Sequence, residues 1–340
     1  MKCFVTGASG LIGANLVHEL VGRGHRVKVL LRSGADERGL LGLKIERVAG
    51  DIFDRKLLER ELEGHDWCFH VAGCYRLWMR DYAAMYRTNV EGTRVVLTAA
   101  GKAGCRKIIY TSTAGCIGPA KMAAGKFHPA DETEIVTEAQ LGNDYLRSKF
   151  QGEAVALELF RKLGLPIVIV NPTAVVGAGD YKPTPTGQFI LNFLRGHLPA
   201  YLATGWNWVH VRDVAIGHIL AAEKGESGQR YILGNRQGNW TMQETLRTLE
   251  QISGRPAPRL KVPFWLADRV AEVSELAAGF TKRPPRIPLA SIRMARNRMW
   301  VDPSKAIRNL GLPQTSAEVA LADAVQWFQA NGHPKKTISV

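Results

Sequence analysis

The chain has 340 residues, of which 46% are hydrophobic and 22% are charged, and its formal net charge is +14. These values are typical of a globular protein large enough for one α/β domain with a smaller companion. The sequence has no nucleic-acid-binding motif and no apolar run of about 18 residues, which excludes a nucleic-acid module and a membrane-spanning helix. The positive charge therefore indicates a basic solvated surface or attraction to anions, with contact to a membrane surface left open.

The cysteines predict a protein with reduced thiols. They are odd in number, form no CxxC pair, and stand at Cys3, Cys68, Cys74, Cys105 and Cys116. Such a set predicts a cytoplasmic protein without a disulfide scaffold, and the histidines show no metal-ligand spacing, so we predict no metal site. Glycines interrupt the N-terminal segment "MKCFVTGASGLIGANLV", so we predict no signal peptide.

Up to about residue 177 the chain alternates between predicted strands and helices. Strands are predicted for "KCFVT", "HRVKVLL", "KIERVAGD", "DWCFHVAG", "CRKIIYTST" and "LPIVIVNPTAVVG". Helices are predicted for "LIGANLVHELVGRG", "DRKLLERELEG", residues 82–103 and residues 143–163. Strands rich in Val and Ile that alternate with helices indicate an α/β fold with a doubly wound parallel sheet covered on both faces.

The alternation stops after residue 177, where "GDYKPTPTGQ" combines prolines with glycines and predicts a loop. We therefore predict a first domain over residues 1–177 and mainly a smaller α/β substrate domain over residues 178–340. Within the second part, the segment of about residues 206–223 is predicted to return to the first sheet.

A glycine turn joins the first strand to the first helix. In "VTGASGLIG", Gly7, Gly10 and Gly13 form a GxxGxxG frame. The first glycine permits the tight turn, the second lets the backbone approach a pyrophosphate, and the third lets the helix pack on the strand. The free N–H groups of the helix N-terminus favour an anion, so the frame predicts a dinucleotide site rather than a purely structural turn. Its other predicted contacts are Ser9, Leu11 and Ile12.

The end of the second strand predicts which dinucleotide binds. Folds that prefer NAD place an acid there for the ribose 2′-hydroxyl, but this chain has Leu31 followed by Arg32, and Asp36 lies further on in a loop. A guanidinium suits a 2′-phosphate, so we predict NADP in preference to NAD, the alternative being that Arg32 is a solvated loop residue. Further cofactor contacts are predicted at Asp51, Ile52 and Ala72.

Tyr145 and Lys149 are the candidate catalytic pair. They stand four residues apart and therefore share a helix face. A nearby ammonium, together with the positive charge of an oxidised nicotinamide, favours phenolate and lowers the pKa of the phenol, which can then exchange a proton with a carbonyl or alcohol oxygen. Thr113, with Ser112 as the neighbouring candidate, can hydrogen-bond the same oxygen. The alternative is a tyrosine packed in the core beside a solvated lysine.

These segments carry a family resemblance. "TGASGLIG", "GDIFD", "HVAG", "NVEGT", "YTSTAG", "YLRSK" and "NPTAVVG" resemble the successive motifs of the extended short-chain dehydrogenase/reductases, the NAD-dependent epimerase/dehydratase family. The resemblance implies a Rossmann fold and a catalytic triad of Thr113, Tyr145 and Lys149. It implies a structural role for Asn89. It also implies nicotinamide contacts for Asn171 and Thr173, and a homodimer that pairs helices 82–103 and 143–163.

More narrowly, "YRLWMRD", "KPTPTG", "YILGN" and "IRMARNRMW" resemble the bacterial hopanoid-associated sugar epimerases, which are similar to dihydroflavonol reductases. One departure matters. Sugar epimerases of this family usually keep an acid at the second strand end, whereas this chain has Leu31 and Arg32. That departure brings the sequence nearer to the NADPH-using reductases.

The substrate side is predicted to lie between the two halves of the chain. Tyr75 and Trp78 follow the fourth strand as candidate ligand contacts, although Trp78 is equally explained as a packed loop anchor. Lys182 is a candidate contact for an anionic group, or part of a proline-stiffened connector. His210 and Asp213 suggest a proton relay, but their apolar surroundings favour a structural histidine.

Three hypotheses for the function remain open at this point. The chain is a reductase that interconverts a ketone and an alcohol, a sugar epimerase with a tightly held cofactor, or a non-catalytic dinucleotide sensor. The complete set of Thr113, Tyr145 and Lys149 argues against the sensor. In each case the expected partner is a small ketone, alcohol or sugar.

Overall fold

The computed structural model describes residues 1–281, 285 and 287–331. The first part of the chain forms β1 (Lys2–Thr6), α1 (Leu11–Gly22), β2 (Arg26–Leu31), β3 (Glu46–Ala49), α2 (Arg55–Leu62), β4 (Trp67–His70), α3 (Ala83–Tyr86), a π-helical turn (Arg87–Gly92), α4 (Thr93–Lys102), β5 (Lys107–Thr111), β6 (Lys121–Ala123), β7 (Lys126–His128), α5 (Asp144–Leu163) and β8 (Ile167–Pro172). Short 3₁₀ helices lie at Arg38–Leu40, Ala114–Cys116 and Glu138–Gln140.

The second part of the chain is richer in helix. It forms β9 (Ala174–Val176), α6 (Pro185–Leu194), β10 (Gly205–His210), α7 (Val211–Lys224), β11 (Arg230–Leu233), β12 (Asn239–Thr241), α8 (Met242–Ser253), α9 (Phe264–Thr281), α10 (Leu289–Ala295), α11 (Ser304–Leu310) and α12 (Ala317–Ala330). None of the helices in the described ranges combines the length and the apolar character needed to cross a bilayer.

The centre of the fold is a seven-stranded parallel sheet in the order β11-β8-β5-β4-β1-β2-β3. The chain runs outward from β1 in one direction through β2 and β3, and in the other through β4, β5, β8 and β11. The strand order therefore reverses between β1 and β4, and ligands of such sheets bind beyond the carboxyl ends at that point. The predicted doubly wound α/β fold is confirmed.

Helices cover both faces of this sheet because the strands are apolar on both sides. One buried cluster joins α1, α7 and α11 to the sheet and includes Leu16, Leu20 and Ile219. The opposite cluster joins α2, α4 and α5 and includes Leu58 and Leu97. All five side chains are fully buried, and each contributes about 1.5–3 kcal/mol relative to an exposed side chain.

A second, smaller sheet has the order β12-β10-β9, and α6, α8 and α12 pack against it. Trp208 on β10 is fully buried in this second core, where its indole nitrogen donates to the Thr245 hydroxyl at 2.8 Å. The two cores lie on either side of the segment Ala174–His210. Residues after 177 thus contribute to both cores, since α7, β11 and α11 belong to the large sheet and its cover.

The prediction that about residues 206–223 return to the large sheet is wrong for the strand within that range. β10 pairs with β9 and β12 instead. The position beside β8 is occupied by β11 instead, which pairs Arg230–Leu233 with Ile169–Pro172 and forms the edge of the large sheet. The helix that follows β10, α7, does lie on the large sheet and packs against α1.

His210 and Asp213 hold α7 in place, as the structural interpretation of this pair predicts. The Nδ1 atom of His210 accepts from the Arg212 amide at 3.0 Å, and its Nε2 atom contacts the Asp323 carboxylate at 2.9 Å. The Asp213 carboxylate accepts from the amide and hydroxyl of Thr315 at 2.6 and 2.9 Å. Neither side chain lies in the cavity described below.

Candidate active site

The glycine turn lies at the carboxyl edge of the large sheet and is shaped by close backbone contacts. Gly7 has a φ of +74°, and a Cβ there would lie 2.5 Å from the Ala72 nitrogen at the end of β4. A Cβ on Gly13 would lie 2.2 Å from the Gly7 carbonyl oxygen. A Cβ on Gly10 would instead make only an ordinary van der Waals contact, 3.5 Å from the Gly7 carbonyl oxygen. A side chain is therefore excluded for packing reasons at Gly7 and Gly13, but not at Gly10.

The N-terminus of α1 is available for an anion. Gly10 is its N-cap and offers no side-chain hydrogen bond, and the first turn contains no acid. Backbone N–H groups and the helix dipole there favour negative charge. The absence of a side chain at Gly10 lets a phosphate approach this backbone closely, so the turn fits a dinucleotide pyrophosphate. The other predicted contacts lie in the same place, with Ser9 in the turn and Leu11 and Ile12 in the first helical turn.

Arg32 follows the carboxyl end of β2 and is exposed. Its guanidinium makes no hydrogen bond or ion pair within the part of the chain that the structure describes. Asp36, the nearby acid, is already engaged, since the Arg38 guanidinium donates to its two oxygens at 2.9 and 2.6 Å. Those hydrogen bonds lower the pKa of Asp36 to about 2. The Arg32 guanidinium is thus free to contact a ligand, whereas the Asp36 carboxylate is already hydrogen-bonded to Arg38.

Asp51 and Ile52 follow β3 as predicted. Asp51 is exposed, and its carboxylate accepts from the Phe53 amide at 3.1 Å. Ile52 is buried beneath the π-helical turn. A Cβ added at Gly92 in that turn would lie 2.4 Å from the Ile52 Cδ1 atom. Both residues therefore lie at the carboxyl edge, together with the turn, Arg32 and Ala72.

Tyr145 stands in the first turn of α5. The helix begins there because the Asn143 side chain accepts from the Leu146 amide at 2.9 Å. The Tyr145 side chain is 8% exposed and lines the same cavity as Thr113. One helical turn later, Lys149 is also buried, and its Nζ donates to the Thr111 carbonyl at 2.7 Å. The three predicted residues are therefore brought together where β5 ends.

The protonation of this group differs from the expectation. Burial raises the pKa of Tyr145 well above its usual value of 10, and the Thr113 side chain opposes that rise only in part. Burial also lowers the pKa of Lys149 from 10.5 to about 8. The lysine was expected to lower the pKa of the phenol, but its ammonium donates to a backbone carbonyl, and the loss of hydration disfavours phenolate. The phenol is therefore protonated at neutral pH and available as a donor.

A cavity of about 220 Å³ adjoins the side chains of Thr113 and Tyr145. Thr113, Tyr145 and Thr173 contribute to its wall, and α10 closes one side. Among the described residues that line it, none carries a formal charge. Its walls are mainly apolar and come from seven separated segments: Tyr75, Leu77, Thr113, Ala114, Gly115, Tyr145, Leu146, Pro172, Thr173, Ala174, Pro185, Thr186, Trp206, Asn207, Ser291, Met294, Ala295 and Met299.

Tyr75 is the predicted substrate residue that reaches the cavity. Its ring stacks on that of Tyr145 with centroids 4.4 Å apart and an interplanar angle of 29°. Tyr75 itself remains 39% exposed. It therefore covers one face of the Tyr145 ring and forms part of the wall at the solvent side.

The other two predicted substrate residues lie elsewhere. Trp78 is half-buried in the loop after β4, where its neighbours Tyr75 and Leu77 form the cavity wall instead. Lys182 is exposed and does not line the cavity, which agrees with the alternative of a proline-stiffened connector. The connector that carries it runs beside the loop after β2, since Tyr181 packs under the Arg38 guanidinium at 5.0 Å.

A buried polar network behind the site escaped the sequence analysis. Glu153 accepts hydrogen bonds from the Ser112 hydroxyl at 2.5 Å and the Asn171 amide at 3.0 Å, and it pairs with Arg230 at 3.3 Å. The Asn171 amide also donates to the Thr113 carbonyl at 3.0 Å. Ser112, the alternative to Thr113, is thus turned away from the cavity. The overlooked signal is an acid four residues after Lys149, on the same helix face.

Asn89 lies in the π-helical turn and has the structural role that the resemblance implies. Its side chain accepts from the Cys74 amide at 2.7 Å and donates to the Cys74 carbonyl at 3.0 Å and to the Ser148 hydroxyl at 2.9 Å. These bonds fix the loop after β4 against α5, and with it the position of Tyr75.

Comparison with known proteins identifies the class of enzyme. The chain is 43% identical to a putative dihydroflavonol 4-reductase of Synechocystis sp. over 98% of this chain and 96% of that protein. It is 36% identical to sterol demethylase protein B of Methylococcus capsulatus over 98% and 99% of the two chains. The crystal structure of gox2253 superposes with a TM-score of 0.86 and 40% identity, covering 98% of this chain and 99% of that one. With the fold above, these likenesses define an NAD(P)-dependent oxidoreductase of the short-chain dehydrogenase type.

The family follows from a direct match. The family model of the NAD dependent epimerase/dehydratase family matches residues 3–234, which includes the glycine turn, the Tyr145–Lys149 pair and the strands that surround them. The chain belongs to this family, and the resemblance inferred from the motifs is confirmed.

Proposed function

We propose that the enzyme reduces a ketone on an uncharged, largely apolar ring compound to the corresponding alcohol, with NADPH as the reductant. The observation that supports this reading best is the cavity beside Tyr145 and Thr113. It presents hydroxyl groups from one side and apolar walls from the others, without a charged lining residue among those described. Such a site desolvates an apolar substrate while aligning one oxygen.

The proposed roles follow from the hydrogen bonds already described. Bound at the carboxyl edge, the dinucleotide would supply the hydride. Tyr145, protonated at neutral pH because of its burial, donates its proton to the carbonyl oxygen as that oxygen gains charge. The Thr113 hydroxyl aligns the same oxygen. Lys149, with a pKa of about 8, is mostly charged at pH 7 and stabilises the resulting phenolate.

The preference for NADPH is part of the proposal. Its support is the exposed and uncommitted Arg32 at the end of β2, together with the engagement of Asp36 by Arg38. A carboxylate tied by two hydrogen bonds is a poor acceptor for a ribose hydroxyl, whereas a free guanidinium suits a phosphate. The residues that would hold the pyrophosphate are those of the turn around Gly10.

The substrate class is supported by two observations. Trp206, Met294 and Met299 give the cavity broad apolar and polarisable surfaces, which accommodate fused rings. The names of the two relatives refer to a dihydroflavonol and to a sterol, which are both polycyclic and uncharged compounds. A ketone within such a ring system is the substrate that we propose.

A sugar epimerase is the second candidate, and the family match is the observation that favours it. A nucleotide sugar carries a diphosphate, which proteins usually neutralise with lysine or arginine side chains. The cavity wall offers none among the described residues. This difference is why the reductase is preferred.

The test is to assay the purified protein with NADPH and with NADH against uncharged cyclic ketones and against nucleotide sugars. We expect cofactor-free protein that oxidises NADPH only when a ring ketone is present. Protein that retains its dinucleotide through gel filtration and interconverts nucleotide sugars without net oxidation would instead establish the epimerase. A catalytically silent protein that binds the dinucleotide would contradict both.

The assembly and the location of the enzyme also remain proposals. We propose a homodimer in which residues 82–103 and 143–163 of two copies form a four-helix interface. α4 and α5 support it, since they pack side by side and join at their surface through an Arg94–Glu158 ion pair of 2.8 Å. A single-chain mass in light scattering would contradict the dimer. A cytoplasmic location agrees with five cysteines that are all free.

A further inference from the structure

Helix α9 has an apolar face that points away from the protein. Trp265, Leu266, Val270, Val273 and Leu276 are between 40% and 68% exposed. At 100° per residue these positions fall within one side of the helix. The buried residues Ala267, Ala271 and Ala278 fall on the opposite side. A contiguous exposed apolar strip on one helix marks an interaction surface rather than scattered surface residues.

The acidic residues of α9 are all engaged at the border of this strip. Asp268 pairs with Arg296, Glu272 accepts from Arg269 at 2.8 Å, and the Glu275 carboxylate accepts from the Leu289 amide at 2.9 Å. Exposed cations near the helix also include Arg259, Lys261 and Arg293, whereas Arg269, which pairs with Glu272, falls among the strip positions. The surface therefore combines an apolar strip with a positive border, in a chain whose net charge is +14.

The inner side of α9 connects this surface to the active-site cavity. Ala267 and Ala271 pack against Ile292 of α10 in one small buried cluster. The same helix α10 presents Ser291, Met294 and Ala295 to the cavity. The exposed strip is thus separated from the candidate substrate site by a single helix.

We propose that the outward face of α9 docks the enzyme onto an anionic lipid bilayer. An amphipathic helix with tryptophan and aliphatic residues on one face and cations at its border binds at the bilayer interface by burying the apolar face near the headgroups. Anionic lipids complement the cationic border over a Debye length. A second copy of the chain is the less suitable occupant, because it would bring the same positive charges together.

Docking places the cavity close to the bilayer surface, from which an apolar ketone can enter. This consequence rests on the proposed function, whereas the docking itself does not. The two are therefore tested by separate measurements, namely vesicle binding without substrate and turnover without vesicles.

The experiment is co-sedimentation of the full chain with vesicles. We expect binding to phosphatidylglycerol/phosphatidylethanolamine vesicles at low salt, little binding to phosphatidylcholine vesicles, and release at about 1 M salt, where the Debye length falls to about 3 Å. The double substitution Val273→Glu and Leu276→Glu should lower the partition coefficient at least about tenfold. The matched control is Met122→Glu with Ile135→Glu, which charges two exposed apolar residues away from α9 and should leave binding unchanged.

Several outcomes would overturn the proposal. Wild-type protein that stays in the supernatant with both kinds of vesicle does so, and so does an α9 variant that binds like the wild type. Light scattering that shows the α9 variant to dissociate a dimer identifies the strip as a contact between copies instead. Unchanged thermal unfolding and unchanged reduction of a small water-soluble ketone confirm that the variant is folded and that any loss concerns binding alone.

Discussion

The cofactor edge and the substrate cavity of this enzyme are built in opposite ways. The cofactor edge depends on a turn of seven consecutive residues, 7–13, where backbone meets backbone and two glycines admit no Cβ. The cavity is assembled from seven segments between residues 75 and 299, and side chains form its wall. The first region tolerates almost no change in shape, whereas the second can be reshaped by exchanging side chains. The contrast explains how one family keeps a common cofactor and varies its substrates.

Tyr145 belongs to both regions, so its substitution gives the largest expected effect. Tyr145→Phe keeps the stack on Tyr75 but removes the phenol hydroxyl from the cavity wall that Tyr145 shares with Thr113. We expect kcat to fall about a thousandfold, as for loss of a general acid, with NADPH binding retained. Steady-state kinetics and cofactor titration measure the two effects. Unchanged turnover would remove Tyr145 from its proposed role.

Two alanine substitutions test whether packing excludes a Cβ at Gly13 but not at Gly10. Gly13→Ala forces a Cβ against the Gly7 carbonyl, so we expect a loss of about 1–3 kcal/mol in the free energy of unfolding. Gly10→Ala is the matched control for stability, because its Cβ has room, and it should unfold within about 0.5 kcal/mol of the wild type. It should nevertheless bind NADPH more weakly, because the methyl group occupies the space that the phosphate needs. Chemical denaturation and cofactor titration together separate packing from binding.

Lys149, buried between the cofactor edge and the cavity, makes the free energy of unfolding depend on pH. Its folded pKa of about 8 lies below the unfolded value, so the unfolded chain binds the proton more tightly, and burial costs stability below pH 8. That cost disappears as the pH rises toward 10.5. Relative to Lys149→Met, the wild type should gain about 2–3 kcal/mol between pH 7 and pH 10. Denaturation of the cofactor-free protein at both pH values measures this, and the exposed-site variant Lys162→Met should show no such change.

Arg32 tests whether the cofactor edge also selects the cofactor. Arg32→Ala should raise KM for NADPH about 10- to 100-fold, through loss of a bidentate phosphate contact, and leave KM for NADH nearly unchanged. Arg26→Ala, at the amino end of the same strand, is the control for charge. Equal losses with both cofactors would exclude a 2′-phosphate contact.

The substitution Glu153→Gln tests whether the buried network behind the cavity fixes the position of Thr113. Glu153→Gln keeps the shape but weakens the pair with Arg230 and leaves one fewer strong acceptor for Ser112 and Asn171. We expect kcat to fall about tenfold through misplacement of Thr113, with little change in KM for NADPH. Glu158→Gln, on the exposed side of the same helix, should be neutral. A fall in stability at unchanged kcat would make the network structural only.

The features that could be predicted from sequence are those set by short-range geometry. The strand–glycine–helix unit at residues 2–22 and the Tyr145–Lys149 pair at helical spacing follow from local rules, and the structure contains both. The predicted return of residues 206–223 was wrong for β10, because pairing at a sheet edge depends on which strand arrives there, and β11 does. The sequence left Lys182 open between a substrate contact and a connector for the same kind of reason, since nothing local shows where a connector runs.

The sequence by itself determined the doubly wound sheet, the dinucleotide turn and the identity of the residues at the end of β5 and the start of α5. Periodicity and glycine sterics act between neighbours in the chain, so they can be read without a fold. Only the tertiary structure decided that Tyr145 is shielded by Tyr75, that Glu153 and Arg230 hold Thr113 from behind, and that α10 closes the cavity. Those contacts join residues far apart in sequence, and burial, which sets the charge of the phenol and the ammonium, exists only once the chain is folded.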